Sequence, residues 1–529
     1  MNARKWVTPF AVAGVAAGGW GARLWLAWRD ITALLVRFVP DDSFFVFRIA
    51  RNLAAGQGLT FDGVIPANSP RLLWESLLAL VFLVIPANDE LAANAILTLG
   101  ATADAVTVVL LFFIMRELGE DATTAVFTAG IYAFMPYAIR QAINGLETAL
   151  AVALLAGVYL WYIKLTVRGV RATAGPWYAL GLCGGVILLT RLDYGLWSAL
   201  LFCDLLRRPG GRRPALWLAA GTATLLGPWV LFSWLGFHEL LPSSGYAATY
   251  TYYMNYFVNH TPSVGGFLSQ AGYYFFKAFK YYAFPFVAIR LAYAGPIAFV
   301  ALVAGTVIAY ARGDRGVRAK FRLLLLPMAM VLVLLVVHGF ILWYAREWHT
   351  GPSLFATALL GGGLFAFFTR KLGARTRAFV TAAAALALLL VYVKIAQRDW
   401  RAEAYKPFIN HYRVAVWARD HLPPSAVIGS FDGGVPGYFS HRRVVDLVGV
   451  ENKRAFAAVR GRRLGAYLDE EGIEYLHLMP CRTDPYYGWF WGEDITKRLE
   501  GPLFAATEPG VQPDMRTAAL YRVTPRRRE

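Results

Sequence analysis

The chain has 529 residues, of which 57% are hydrophobic and only 16% charged, with a formal net charge of +18 at pH 7. So apolar a composition excludes a water-soluble globular chain and places the protein among polytopic membrane proteins. The positive balance then reads as Lys and Arg retained in cytoplasmic loops, with no nucleic-acid partner expected. The cysteines Cys183, Cys203 and Cys481 have no metal-ligand spacing and no convincing disulfide pairing.

In chain order, Arg4 and Lys5 precede an apolar run too long for a signal-peptide core and without a clear cleavage pattern, so it is expected to stay as an anchor. A crossing takes about 20 residues, fewer where the bundle is locally thin. About eleven runs qualify: 6–28, 92–115, 122–138, 146–164, 176–190, 194–206, 214–235, 291–311, 323–342, 352–369 and 377–395. Leu72–Pro86 is left out, because about 15 residues make only about 22 Å of helix, and because counting it as a span would put Lys164 outside. It is read as a juxtamembrane or partly inserted helix. The basic clusters at Lys164/Arg168/Arg171, Arg207–Arg213, Arg312–Arg322 and Arg370–Arg377 are assigned to the cytoplasm. The N-terminus is then cytoplasmic, and five pieces converge on the other side: 29–91, Arg140–Glu147, Arg191–Asp193, 236–290 and Trp343–Pro352. The tail from 396 follows them.

The tail changes texture. Tyr412–His421 reads as an amphipathic helix stopped by Pro423-Pro424, and Leu464–Glu471 as another. Ala426–Ser430, Arg443–Val448, Ile473–Leu478 and Ala518–Val523 read as strands. This suits a small α/β domain of about 130 residues.

The most informative stretch is Pro40-Asp41-Asp42-Ser43-Phe44-Phe45-Val46-Phe47-Arg48. Pro40 favours a helix start, and the two carboxylates sit at the positive end of its macrodipole. Two readings stand side by side: a capped amphipathic helix with Phe44, Phe45 and Phe47 in the headgroup zone, or a general base at the water–lipid boundary.

The order of short motifs carries a resemblance. Asp41-Asp42, Phe47-Arg48 and Ala50-Arg51-Asn52-Leu53-Ala54 are followed by Gly56-x-Gly58-Leu59, Ser69-Pro70 with Leu73-Trp74, Gly145-Leu146-Glu147-Thr148, Leu189-Thr190-Arg191-Leu192-Asp193, and Leu241-Pro242 before an aromatic loop. This series resembles the GT-C glycosyltransferases, and within them the branch of the mycobacterial terminal arabinofuranosyltransferase and the flagellar motor-control glycosyltransferase-like proteins. Asp432-Gly433-Gly434 and Arg442–Gly449 in the tail fit that branch too.

The resemblance implies a polytopic all-α module over 1–395, with about eleven spanning helices plus juxtamembrane helices, and a small α/β extracytoplasmic domain over 396–529. It also implies inverting transfer of a sugar, arabinofuranose being one candidate, from a polyprenyl phosphate carrier to a glycan, lipid or protein acceptor. A hydroxyl attacking the anomeric carbon must lose a proton to a carboxylate, and the departing phosphate needs a fixed cation or a metal. The family pattern favours Asp41 as the base, with Asp42 beside it and Glu147 as a second carboxylate. Arg346, His349, Arg191, Arg140 and Lys277 are the candidate phosphate ligands. Arg48, Asn52, Trp74, Tyr246 and Tyr281 are placed along the groove. A divalent cation held by Asp41 and Asp42 stays open.

Each candidate has a plainer role. Arg48 and Arg51 suit lipid phosphates; Glu147 suits a first-turn cap; Arg191 and Asp193 suit a self-satisfied pair at a hairpin tip; and the aromatics of 236–290 and 343–349 suit an interfacial belt. The Asp432 turn reads as structural or as a help in binding an acceptor glycan. The compact first loop and short tail depart from the arabinofuranosyltransferase pattern and leave the pentose open. Two other classes remain, a lipid-linked sugar flippase, for which Asp104 is the main intramembrane charge, and a non-catalytic envelope or flagellar scaffold.

Overall fold

The computed structural model describes residues 4–68, 71–167, 173–240, 242–283, 294–484 and 488–526. Ser69-Pro70, Leu241, the Arg168 and Arg171 part of the first basic cluster, and the start of the 291–311 run lie outside the described residues. Among the described residues, seven helices are long and apolar enough to cross a membrane: Pro9–Ala27, Asp89–Glu117, Thr148–Val167, Arg212–Phe237, Arg315–Ile341, Glu347–Thr369 and Ala374–Ala402. Ala122–Ala133 and Pro136–Ala142 form a pair bent by 62° that makes an eighth if counted as one broken span; Pro136 at the start of the second helix puts the break where the backbone N–H is already missing. The protein is therefore a multi-pass membrane protein. Among the described residues, seven or eight helices meet this measure, and the expected count of eleven is not confirmed by it. The runs at 176–190 and 194–206 form helices of 17 and 12 residues, Ala174–Thr190 and Gly195–Leu206, separated by the charged turn Arg191–Asp193. Leu72–Val84, 13 residues long, is too short to cross and packs on the acidic helix Asp41–Ala54.

Deep in the bundle, Arg23 forms an ion pair with Asp104, and both side chains are almost wholly buried. Arg23 also donates to the carbonyls of Gly19 and Ala133, at 2.8 and 2.7 Å, and Tyr132 donates to Asp104 at 2.7 Å. The long helix Asp89–Glu117 touches the Pro136–Ala142 helix at Gly100, where an added Cβ would stand 2.3 Å from the carbonyl oxygen of Ala142. Gly100→Ala is expected to force these helices apart and cost about 1–3 kcal/mol, read as a fall in thermal midpoint in detergent.

The C-terminal unit follows the last long helix. Its sheet contains β1 (Val427–Ser430), β2 (Arg443–Asp446), β3 (Tyr475–Leu478), β4 (Leu499–Thr507) and β5 (Thr517–Val523), in the order β2-β1-β3-β5-β4. The first three strands are parallel, and β5 runs antiparallel to both β3 and β4. Four of the strands coincide with the apolar runs of the tail. β4 was not expected: it is an edge strand, largely exposed, with no alternation to mark it. The short helices Gly434–Phe439 and Lys453–Arg460 were not expected either.

The C-terminal unit packs directly on the acidic helix. Phe45, Ile49 and Phe61 share one core with Val414, Ile428, Val444 and Leu520, while Phe44 and Phe47 share another with Val435, Tyr438 and Phe439. Phe44 and Phe47 are 0% exposed and Phe45 7%. The headgroup-zone reading of these rings is thus corrected: the amphipathic face meets protein, not lipid.

Candidate active site

A cavity of about 1910 Å³ opens between the helical module and the C-terminal unit. All five pieces expected to converge contribute to it: Asp41, Asp42 and Arg71; Leu146 and Glu147; Arg191 and Asp193; Tyr246 and Tyr252; Tyr344, Arg346 and His349. The tail adds Asp432, Glu451 and Arg482. One wall is apolar, built from Leu188, Leu196, Phe202, Leu226, Leu334 and Ile341. An amphiphile with an anionic head and a hydrocarbon tail matches this division.

The two neighbouring carboxylates face different partners. Asp41 is buried, and its oxygens accept from the backbone N–H groups of Val435 at 2.7 Å and Gly434 at 3.1 Å. Burial, with the charges of Asp432 and Asp42, pushes its pKa up to about 8 against the pull of those two donors. Asp42, one position on, is half-buried, lines the cavity, and makes no hydrogen bond or ion pair among the described residues. Burial raises its pKa above the ordinary carboxylate value, while Arg346 and Arg71 work in the other direction.

Arg346 sits in the linker before the Glu347–Thr369 span. It donates to the Tyr252 hydroxyl at 3.2 Å, lies 5.1 Å from the Tyr344 ring centroid, and has no carboxylate at ion-pair distance among the described residues. Its backbone N–H donates to His349 Nδ1 at 3.3 Å, and the Thr148 hydroxyl donates to the Trp348 carbonyl at 3.2 Å, so the linker is tied to the helix that follows Glu147. His349 stacks on His338 at 4.3 Å, and His338 Nδ1 meets the Tyr282 hydroxyl at 2.6 Å. His338 belongs to a π-helical turn, Val337–Ile341, a distortion often found at functional sites.

Most of the remaining charges are mutually engaged, whereas Glu239 and Arg460, also on the wall, have no ion-pair partner among the described residues. Arg191 donates to Glu147 at 2.6 Å and lies 2.9 Å from Asp193, so the pair expected at the hairpin tip is present and extends to Glu147. Arg71 lies 3.9 Å from Glu147 and 3.7 Å from Glu451. Arg482 donates to both oxygens of Asp432, at 3.0 and 3.1 Å. Burial works to raise the Asp432 pKa, but Arg482 and His411 hold it below the ordinary value. Burial pushes Glu451 up to about 8, with Arg71 opposing.

Several sequence candidates lie elsewhere. Arg140 is not on the cavity wall; it pairs with Glu347 at 3.0 Å and lies 4.9 Å from the Tyr405 ring centroid. Lys277 and Tyr281 belong to the helix Val264–Tyr282 behind Arg346, and burial, with Arg346 nearby, lowers the Lys277 pKa. Arg48 is on the far side of the acidic helix, near Arg51, Asp62 and Asp89. Asn52 donates to the carbonyls of Thr60 and Phe61 at 2.9 and 3.0 Å, and the Trp74 indole donates to the Gly145 carbonyl at 3.1 Å; both are buried braces. Tyr246 does line the cavity. Arg71, Glu451, Arg482 and His338 were not singled out from sequence. Only Arg71 stood beside a quoted motif, Ser69-Pro70. Among the described residues, no group of three or more His, Cys, Asp or Glu side chains is arranged to hold a metal ion.

Residues 398–514 match a family described as a domain of unknown function, DUF8728, which covers the C-terminal unit alone. No curated protein matches the chain. Among solved structures, ArnT from Cupriavidus metallidurans bound to undecaprenyl phosphate is similar with a TM-score of 0.56 at 14% identity, covering 99% of this chain and 100% of that one. The oligosaccharyltransferase AglB from Archaeoglobus fulgidus, in complex with an inhibitory peptide and a dolichol-phosphate, is similar with a TM-score of 0.57 at 12% identity, covering 93% of this chain and 72% of that one. The arabinofuranosyltransferase AftD from Mycobacteria reaches a TM-score of only 0.45 at 14% identity, covering 99% of this chain and 40% of that one, and carries no weight for the sugar. At these identities the likeness is one of fold alone: the chain shares the architecture of the ArnT and AglB structures, and its own charged cavity lies at the seam with the C-terminal unit.

Proposed function

We propose that the protein is a membrane glycosyltransferase that moves a sugar from a polyprenyl phosphate carrier to an acceptor hydroxyl, with inversion. The observation that carries this reading is that one amphiphilic cavity holds a carboxylate and a guanidinium that lack an ion-pair partner among the described residues, Asp42 and Arg346. Asp42 is the base that takes the acceptor proton, because Asp41 is committed to Gly434 and Val435. Arg346 receives the negative charge that grows on the departing phosphate, with His349 beside it. Glu147 and Arg191 hold each other and shape the wall between them. If a divalent cation takes part, Asp42 is the free ligand for it, and transfer in the presence and absence of a chelator tests this.

The basic clusters favour an orientation with the cavity and C-terminal unit outside the cell membrane, where the acceptor would be a glycan, lipid or protein of the envelope. Arabinofuranose is the first donor sugar to assay, on the motif order alone. Asp104, on which a flippase reading leans, is engaged by Arg23 and Tyr132.

The test is transfer of label from an isotopically labelled polyprenyl-phosphate sugar extract of the producing membranes to endogenous acceptor by the purified protein in vesicles. Arg346→Ala is expected to reduce the rate by about 10²–10³-fold, whereas Arg140→Ala should leave turnover per folded molecule near wild type. Equal losses in the two variants would remove the phosphate role from Arg346.

A further inference from the structure

We infer that Asp41 is a positioning residue which ties the C-terminal unit to the acidic helix and so aims Asp42 into the cavity. The inference rests on the proposed transferase function and departs from the motif-based assignment of Asp41 as the base.

The contact is built from both sides. Asp41 spends its two oxygens on the N–H groups of Gly434 and Val435, which open the short helix Gly434–Phe439. The backbones approach so closely that a Cβ on Gly434 would stand 2.0 Å from the Asp41 carbonyl oxygen, and one on Gly437 would stand 2.5 Å from the Phe61 ring. The turn that offers these N–H groups begins at Asp432, which lines the cavity and is locked by Arg482. One short segment, Asp432–Val435, therefore forms part of the cavity wall and grips the residue next to Asp42. Loss of the grip frees the first turn of the acidic helix, where a displacement of about 1 Å at a reacting group costs about 10²-fold in rate.

The charges that act on Asp42 come from every side of it. Arg346 and Arg71 lower its pKa, while Asp432 and Glu147 raise it. Asp41, pushed up to about 8, is largely neutral below that pH, so replacing it by Asn changes little charge there and keeps one oxygen that accepts a backbone N–H. The acid limb of the rate profile, set by deprotonation of Asp42, should therefore stay in place in Asp41→Asn, whereas loss of that limb would mark Asp41 itself as the base.

The experiment uses the full chain in vesicles with the labelled polyprenyl-phosphate sugar extract. Asp41→Asn is expected to keep turnover within about tenfold of wild type, since one acceptor remains, with its acid limb unmoved. Asp41→Ala and Gly434→Ala are expected to lose about 10²-fold in kcat with little change in donor KM, and to expose the segment around 403–407 to protease while the membrane helices stay protected. Asp42→Asn should be inactive with the C-terminal unit still protected. The inference is overturned if Asp41→Asn is as inactive as Asp42→Asn while protease-resistant, or if Asp41→Ala keeps both wild-type turnover and protection. Wild-type transfer by Asp42→Asn is a separate result that removes the transferase mechanism, and the inference with it.

Discussion

Asp42→Asn is expected to reduce sugar transfer by about 10³-fold or more, within the range of a lost general base, and a 10³-fold loss corresponds to about 4 kcal/mol of barrier. The side chain is nearly isosteric and makes no hydrogen bond or ion pair among the described residues, so the fold should survive the change. Initial rates with labelled donor lipid, normalised to folded protein, give the measurement. The pH dependence follows from the same residue. Its pKa is raised by burial, and only the ionised form takes a proton, so wild-type kcat/KM should climb with pH through a limb above the ordinary carboxylate value and then level off. A variant with wild-type rate, or a wild-type profile that falls as pH rises over that interval, would rule Asp42 out as the base.

Asp104→Leu should cost about 3–5 kcal/mol of stability, because it strands the Arg23 guanidinium in the interior of the bundle. The double change Arg23→Met with Asp104→Leu should recover most of that loss, since a buried ion pair is often no better than a packed apolar pair of similar size. Thermal unfolding in detergent across the four proteins of the cycle isolates the coupling. Turnover per folded molecule should be unchanged, as the pair is not on the cavity wall. Loss of lipid-linked sugar movement with intact stability would instead speak for a transport role.

The long apolar helices, the convergence of five loops, and four of five strands were legible because each depends on local apolarity or on basic clusters. The contents of the cavity were legible only in part. The motif order pointed to Asp41, Asp42, Glu147 and Arg191, and the need for a fixed cation to Arg346 and His349, all of which line it. What sequence could not show was which charges are already spent. Arg140 is paired with Glu347 and Glu147 with Arg191, contacts between separate helices that leave no local pattern. The same limit misplaced the Phe44–Phe47 face: periodicity marks an apolar side without naming what covers it. β4 escaped because an exposed edge interrupted by Gly501-Pro502 has neither alternation nor hydrophobic density.

The residues that hold the cavity shut are far apart in the chain: the Asp41 and Gly434 partners are separated by 393 positions. At about 5–20 residues per second, a ribosome needs about 20–80 s to pass from one to the other. During that interval the bundle is already inserting while its acidic helix lacks the cover of the C-terminal unit. A chain arrested before the Gly434 turn would thus be an open, unfinished vessel, and catalytic competence should arrive abruptly, at the moment the last wall is delivered.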